Sequence, residues 1–226
     1  PFVVGEGNSA SCGGQPGVSD TMASALWSLD YLPRLSQGGA VRMNFHGGPG
    51  GSYPPIAFGI DGTLEVRPLF YGLYLFSHLV ANDSQWRNVS TSGPMPPGPT
   101  PAPVATSTVV AHAASTASGT KVVLVAKTDF AGAASAMVEV CGASSALGAP
   151  GTAAKVHVLS GTDGVKTDWL GMSLSGRTFA NSVTGEWIGE KKLIDVVGTA
   201  DPLGGGGVCF AVRLPQYSAA MLVVPL

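Results

Sequence analysis

The chain has 226 residues, 45% of them apolar and 12% charged, with a formal net charge of -2; this is enough apolar material for one large domain or two small ones and excludes disorder throughout. No Lys/Arg cluster is present that would follow a phosphate backbone, and no apolar run reaches the roughly 20 residues that cross a bilayer, so neither nucleic acid nor a membrane span is expected. The 32 glycines and 17 prolines lie among β-branched runs without a collagen-like period, the pattern of many short strands joined by tight turns.

The chain opens Pro1-Phe2-Val3-Val4 rather than on Met, and a preceding segment is expected. FVVGE reads as a short buried strand, followed by a Gly-rich loop from Gly7 to Gly17 and a Ser19-Asp20 pair suited to a helix N-cap. Met22, Leu26 and Leu29 then mark one apolar helical face, which Pro33 is expected to disrupt. In AVRMNFH, Val41, Met43 and Phe45 alternate with Arg42, Asn44 and His46, a strand with one apolar and one polar face. After a second Gly/Pro-rich loop, Pro68 suits a first helical position, and Leu69, Leu73, Phe76 and Val80 repeat at helical spacing. Residues 1–92 thus run strand, helix, strand, helix, the order of a parallel α/β unit.

Residues 93–105, GPMPPGPTPAPVA, are a Pro-rich connector and the domain boundary. Residues 106–226 change character, with the runs TSTVVAHA, KVVLVAK, SAMVEVC, KVHVL, GMSLSG, KLIDVV, GVCFAVRL and SAAMLVV separated by Gly, Asp-Gly and Ser-Gly turns. That spacing predicts an all-β sandwich domain. Cys12, Cys141 and Cys209 show no metal-binding spacing, so no metal is expected. Cys141 and Cys209 fall in predicted strands and either form a disulfide or stay as two buried thiols. Asn82-Asp83-Ser84 and Asn88-Val89-Ser90 are N-glycosylation triplets in a polar stretch. The clusters GGPGGS and LGGGGV lack the endings of nucleotide-binding loops, and no cofactor is expected.

The chemistry centres on Glu6. A carboxylate at the end of a buried parallel strand is where (β/α) barrels place catalytic groups, while a glutamate that simply ends a strand in solvent has the same local pattern. Gly5 and Gly7 let the backbone pack closely, and Asn8-Ser9 offer groups to orient the carboxylate.

GEGNSASCGGQPGVSDTMASALWSLDYL, then VRMNFHGG and a Tyr in a Gly-rich loop, resembles glycoside hydrolase family 79, which includes heparanases and β-glucuronidases. The matching elements are Gly5-Glu6, Gly13-Gly14, Ser19-Asp20 and Trp27-Ser28-Leu29-Asp30, and the closing LPQYSAAMLVV is similar to the family's last strand. The resemblance implies an α/β plus all-β chain: the C-terminal part of a (β/α)8 TIM barrel, strands seven and eight with their helices, followed by a β-sandwich domain. It implies a retaining glycosidase for β-linked glucuronic acid with Glu6 as nucleophile. The acid/base residue belongs to barrel strand four, so an N-terminal barrel segment or chain of the same protein is the expected partner and this chain alone is expected to be inactive. Glu65, Glu139, Glu186 and Glu190, placed in a loop or in the sandwich, match no acid/base position.

The same resemblance implies a substrate-binding rim of Gly13, Gly14, Asn44, His46, Gly51 and Tyr53, the last meeting the uronate carboxylate. For His46 and Tyr53, packing within their loops is the competing reading. Cys12 stands where relatives usually have Gly; pairing with a cysteine upstream is one consequence. A secreted, extracellular or lysosome/vacuole-like protein is expected. The alternative from another class is a non-catalytic extracellular structural or carbohydrate-binding relative with the same fold.

Overall fold

The computed structural model describes residues 1–48, 50–59, 62–81, 83–91, 108–130, 132–204 and 206–226. The Pro-rich connector at 93–105 and Asn82 lie outside the described residues. In chain order, β1 (Phe2–Gly7), α1 (Met22–Gln37) and β2 (Ala40–Phe45) form a β-α-β unit. The strands are parallel, with Phe2 opposite Ala40 and Gly7 opposite Phe45, so their C-terminal ends lie side by side. A short antiparallel hairpin follows, β3 (Ile56–Phe58) and β4 (Leu64–Val66), then α2 (Pro68–Leu79) and β5 (Gln85–Arg87).

The remaining strands are β6 (Val109–Thr116), β7 (Gly119–Ala126), β8 (Ser135–Ala143), β9 (Ala153–Gly161), β10 (Met172–Leu174), β11 (Ile194–Val197), β12 (Thr199–Ala200), β13 (Gly207–Pro215) and β14 (Ala219–Pro225), with one helical turn α3 (Ser144–Leu147). They form a seven-stranded sheet in the order β10-β9-β14-β7-β6-β5, with β11 also paired to β9, and a three-stranded sheet β12-β13-β8. Each of the eight β-rich runs read from the sequence overlaps one of these strands. Among the described residues there is no closed barrel.

The large sheet is covered on both faces. Val122, Leu124, Leu222 and Val224 meet Val208, Phe210, Val212 and Leu214 of the small sheet in one core. The alternate residues Val123, Val125, Leu159 and Met221 meet Met22, Leu26, Leu29, Tyr71, Leu75 and Leu79 of the helices in another. Because successive side chains alternate faces, a strand buried on both sides reads as a continuous apolar run, as KVVLVA does.

Several local expectations are corrected by packing. α1 continues through Pro33 to Gln37. Pro33 supplies no N–H to Leu29, but Leu32 and Pro33 are both buried, and burial outweighs the lost bond. Ser19 and Asp20 precede the helix without capping it: Thr21 holds the N-cap position. The Ser19 hydroxyl accepts the Gln15 N–H at 2.9 Å and Asp20 accepts the Gly17 N–H at 2.6 Å. The first helical N–H, of Met22, is donated to the Thr167 carbonyl of the β module at 2.7 Å.

α2 starts at Pro68 as its position suggested. Its fully buried stripe is Leu69, Tyr71, Gly72, Leu75 and Leu79, and Leu73 and Phe76 are only partly covered. The helix is apolar nearly all round, so spacing alone does not select the inner face. Gly72 does: a Cβ there would collide with the Ser28 hydroxyl and lie 2.7 Å from the Ala25 carbonyl, which is how α1 and α2 approach so closely. Tyr71 at the α2 core accepts the Phe179 N–H at 2.8 Å on its hydroxyl, and burial pushes that phenol above its ordinary value.

β1 is the main departure. Expected as a buried strand, it is mostly exposed along both faces, because β2 is its one hydrogen-bonded neighbour among the described residues.

Candidate active site

Glu6 sits next to the last residue of β1, and its side chain is 70% exposed. His46 follows the last residue of β2, and its backbone N–H bonds to the Gly7 carbonyl at 3.3 Å. The parallel register therefore delivers both side chains to one end of the pair, where His46 Nε2 lies 3.7 Å from Glu6 Oε1. This is too long for a hydrogen bond, and because both side chains are exposed to water the electrostatic contact is modest. Gly7 is required here, since a Cβ would fall 2.8 Å from Met43 Cε.

The other flank of His46 is held by Tyr53, which is 7% exposed. The Tyr53 hydroxyl lies 2.5 Å from His46 Nδ1 and the two rings meet edge to face with centroids 5.3 Å apart. Asn8 fixes both residues through their backbones, its Nδ2 donating to the His46 carbonyl at 3.0 Å and the Tyr53 carbonyl at 3.2 Å. The expectation that Asn8-Ser9 orient the carboxylate is thus corrected. Asn8 binds the β2 loop, and the Ser9 hydroxyl donates to that of Ser19 at 2.9 Å. Asn44 donates to the Gly5 carbonyl at 3.0 Å, tying β2 to β1.

Gly13, Gly14 and Gly51 meet where the two Gly-rich loops cross. Gly13 and Gly14 have φ of +90° and +88°, and the Ser52 N–H donates to the Gly13 carbonyl at 2.6 Å. A Cβ on Gly14 would lie 2.9 Å from the Tyr53 nitrogen, and one on Gly51 would run into the Gly13 carbonyl. The glycines thus permit a backbone-on-backbone crossing that any side chain would block. Cys12, exposed and at φ 55°, forms the turn before it.

Two residues take bracing roles that the sequence did not show. Arg67 donates through Nη1 to the Gly51 carbonyl at 2.8 Å and through Nη2 to Glu65 Oε2 at 3.0 Å, bracing the crossing. The signal was the spacing Glu65-Val66-Arg67, which on a strand puts opposite charges on one face; the segment had been read as loop, whereas Glu65 lies in β4. The second is Asp30, a buried residue within α1. It accepts His112 Nε2 at 3.0 Å, Arg34 Nε at 2.7 Å and the Lys127 ammonium. Burial raises this carboxyl, but the bonds from His112, Lys127 and Arg34 outweigh it and hold the group well below the usual carboxylate range.

The remaining expected sites lie apart from Glu6. Asn88 is exposed just after β5, at the rim of a groove of about 860 Å³ that Arg34, Arg87, His112 and Lys127 also line. Cys141 and Cys209 are directly opposed on β8 and β13, Cα atoms 4.1 Å apart, and are joined by a disulfide.

No family model matches the chain. Solved glycoside hydrolases share its fold. A 4-O-α-L-rhamnosyl-β-D-glucuronidase from Fusarium oxysporum 12S matches 99% of this chain with a TM-score of 0.69 and 19% identity, over 43% of its own length. A family 51 arabinofuranosidase from Xanthomonas axonopodis pv. citri matches 98% with a TM-score of 0.57 and 17% identity, over 40% of its length. The family 30 xylanase Xyn30A from Clostridium acetobutylicum matches 99% with a TM-score of 0.54 and 10% identity, over 42% of its length. By sequence, a β-glucuronidase of Neurospora crassa is 33% identical over 75 residues, 32% of this chain and 13% of that protein. The chain therefore spans less than half the length of each of these proteins.

Proposed function

We propose that this chain is the nucleophile-bearing part of a retaining glycoside hydrolase of family 79 that acts on β-linked glucuronic acid. The observation that carries the reading is a carboxylate, Glu6, and an imidazole, His46, at matching C-terminal ends of adjacent parallel strands, 3.7 Å apart, beside a crossing of glycine loops. That is where barrel enzymes assemble their chemistry. On this reading β1 and β2 are barrel strands seven and eight, residues 1–92 close the barrel, 93–105 link it, and 106–226 form the sandwich. Two relatives named as glucuronidases, one by fold and one by sequence, support the choice of sugar.

The Glu6 carboxylate attacks the anomeric carbon as the glycosidic C–O bond breaks, and an acid about 5–5.5 Å away protonates the departing oxygen. Water then cleaves the glycosyl ester, with the former acid acting as base. That acid comes from an N-terminal barrel portion of the same protein. On this reading the anionic sugar meets backbone beside the crossing of Gly13, Gly14 and Gly51. Secretion, and N-glycans on Asn82 and Asn88, belong to the same proposal and are checked by glycopeptide mapping.

The exposure of Glu6 favours a second reading, a non-catalytic carbohydrate-binding relative, in which the carboxylate only contacts sugar hydroxyls. A 2-deoxy-2-fluoroglucuronosyl fluoride separates the two, because fluoride leaves without protonation and the intermediate persists. Incubated with the chain joined to its N-terminal portion, it should leave a covalent adduct on the Glu6 peptide that is lost in Glu6→Gln. Saturable binding of glucuronides with no adduct and no turnover refutes the catalytic reading and supports the second.

A further inference from the structure

We infer that a small cleft between α2 and the β module binds one monatomic inorganic anion of chloride's size, held by His78, His157, Arg177 and Lys191. None of these residues belongs to the Glu6 site, and the inference stands whether or not Glu6 is a nucleophile.

The topology gathers the four basic groups from separate elements. His157 lies on β9 directly opposite Met221 of β14, on the sheet face that the helices cover. His78 stands in the last turn of α2. Arg177 is brought back by a two-residue turn in which Leu174 and Arg177 exchange backbone bonds of 2.8 and 3.1 Å, with Ser175 and Gly176 at φ 51° and 82°, the signs that so tight a hairpin requires. Lys191 precedes β11, and the next residue fixes its segment against that turn, since the Lys192 N–H donates to the Ser175 carbonyl at 2.7 Å. All four side chains line one cleft, with Tyr74 and Met221 among its walls. A fifth cation, Lys121 of β7, donates to the His78 carbonyl at 2.5 Å.

Charge decides what can enter. No carboxylate lines the cleft. Among the described residues the ion pairs of Asp and Glu go to Arg34, His46, Arg67, His112, Lys127 and Lys155, and to none of these five. Glu190, next to Lys191 in the chain, is exposed and outside the lining. Burial and then the charges of Lys191, His78, Arg177 and Lys121 push the His157 imidazole down to about 4, as follows where positive charge converges on a half-buried group. Arg177 adds a donor. Its guanidinium lies over the Trp187 ring, Cζ 4.8 Å from the centroid, and its buried Nε has no hydrogen-bond partner in the protein. Buried donors are costly when left unpaired, and proteins satisfy those that lack a protein partner with water or an ion. Among four surrounding cations, an anion is the stronger partner.

Size narrows the class. The space is about 10 Å³, close to what one water-sized sphere requires. A monatomic anion enters as the cleft stands, whereas a sulfate, a phosphate ester or a sugar carboxylate needs Lys191 to swing aside. Bound there, the anion ties α2 to β9 and to the turn at Ser175, and because it binds the folded chain it raises stability by mass action.

The test uses the full-length protein that contains this chain, at pH 6, with sodium chloride replacing sodium gluconate at constant ionic strength; gluconate is too large for the space. Tm should rise as chloride replaces gluconate, and the backbone amide shifts of His157, Arg177 and Lys191 should move together along one saturating curve. Lys191→Met with Arg177→Met should weaken the apparent affinity about tenfold or more. No change as chloride replaces gluconate means that the cluster is merely screened by salt and overturns the inference, as does a response that never saturates or that centres on other residues. Saturation by sulfate but not by chloride overturns the monatomic assignment. The wild-type titration decides even if the double variant folds poorly.

Discussion

Replacing Asp30 with asparagine removes one negative charge from the junction that ties α1 to the β module. Arg34 and Lys127 are 61% and 41% exposed, and both turn to water once the charge is gone, so their contribution to the loss is small. His112 is buried and cannot do so. The cost is therefore close to that of one charge-assisted hydrogen bond, about 2 kcal/mol, which for a chain of this size lowers Tm by about 4–8 °C. The pH dependence is the sharper test. Burial works against the ionised form, and the bonds from His112, Lys127 and Arg34 overcome it, so the folded-state value lies below the unfolded one. A depressed carboxyl stabilises the fold fully above its unfolded value, about 3.9, and loses that stabilisation as pH falls through the folded value. Urea unfolding followed by tryptophan fluorescence should thus give a wild-type-to-variant gap that is flat between about pH 7 and pH 5 and shrinks only in strong acid. A gap below about 0.5 kcal/mol, or one that halves between those two pH values, refutes the reasoning, the first by removing the stabilisation and the second by assigning it to another titrating group.

Gly14→Ala places a Cβ 2.9 Å from the Tyr53 nitrogen at φ +88° and should destabilise the chain by about 1–3 kcal/mol; urea midpoints measure the loss, and an unchanged midpoint refutes the tight crossing. Cys141→Ser with Cys209→Ser opens a bridge between residues 68 apart and should cost about 4 kcal/mol by loop entropy; an unchanged urea midpoint counts against it. His157 is pushed down to about 4 by burial and by Lys191, His78, Arg177 and Lys121 around it. As pH falls from about 6.5 to 4 the unfolded chain takes up a proton that the folded one refuses, and stability drops. His157→Gln should remove about 1–2 kcal/mol of that drop after discounting for solvent screening; an unchanged acid slope in calorimetry counts against it.

The strands of the β module were legible because apolar, mostly β-branched runs recur at short spacing, several of them closed by glycine, and burial on both faces only strengthens that signal. Pro68 likewise announced α2, since a missing N–H costs nothing in a first turn. What escaped the sequence depends on distant partners. Pro33 looked like a helix end, and the packing that carries α1 past it is tertiary. Ser19-Asp20 had the right side chains for a cap, but nearby loop N–H groups claimed them. Asp30 was visible as part of a motif, yet its partners His112 and Lys127 are 82 and 97 residues away. At the site, the glycines of both loops were visible as places without side chains; that they would meet one another, with Arg67 bracing the contact, follows from the crossing and from nothing local. His46 and Tyr53 were each singled out for a sugar or for packing within their loops, and the structure brings the two side chains together.

The way the layers are stacked explains how so thin a strand pair can hold a defined geometry. β1 and β2 leave Phe2, Val3 and Val41 exposed and have little core of their own, so the pair is supported from behind. α1 leads out of the Glu6 loop, and Gly72 lets α2 lock against it at Ala25 and Ser28. Met22, Leu26, Tyr71 and Leu75 then seat both helices on Val123, Leu159 and Met221 of the large sheet. The N-terminal end of α1 is tied there again by the bond from Met22 to Thr167, and its middle by Asp30 to His112 and Lys127. Those ties are polar and directional, so they fix the helix's rotation and translation, which apolar contact alone leaves loose. Rotation of α1 would shift Ser19 and with it the loop that carries Gly13 and Gly14 past Gly51, and Tyr53 would move relative to His46. The pairing of β1 with β2 sets Glu6 beside His46, and the β module anchors α1, the helix that joins those two strands.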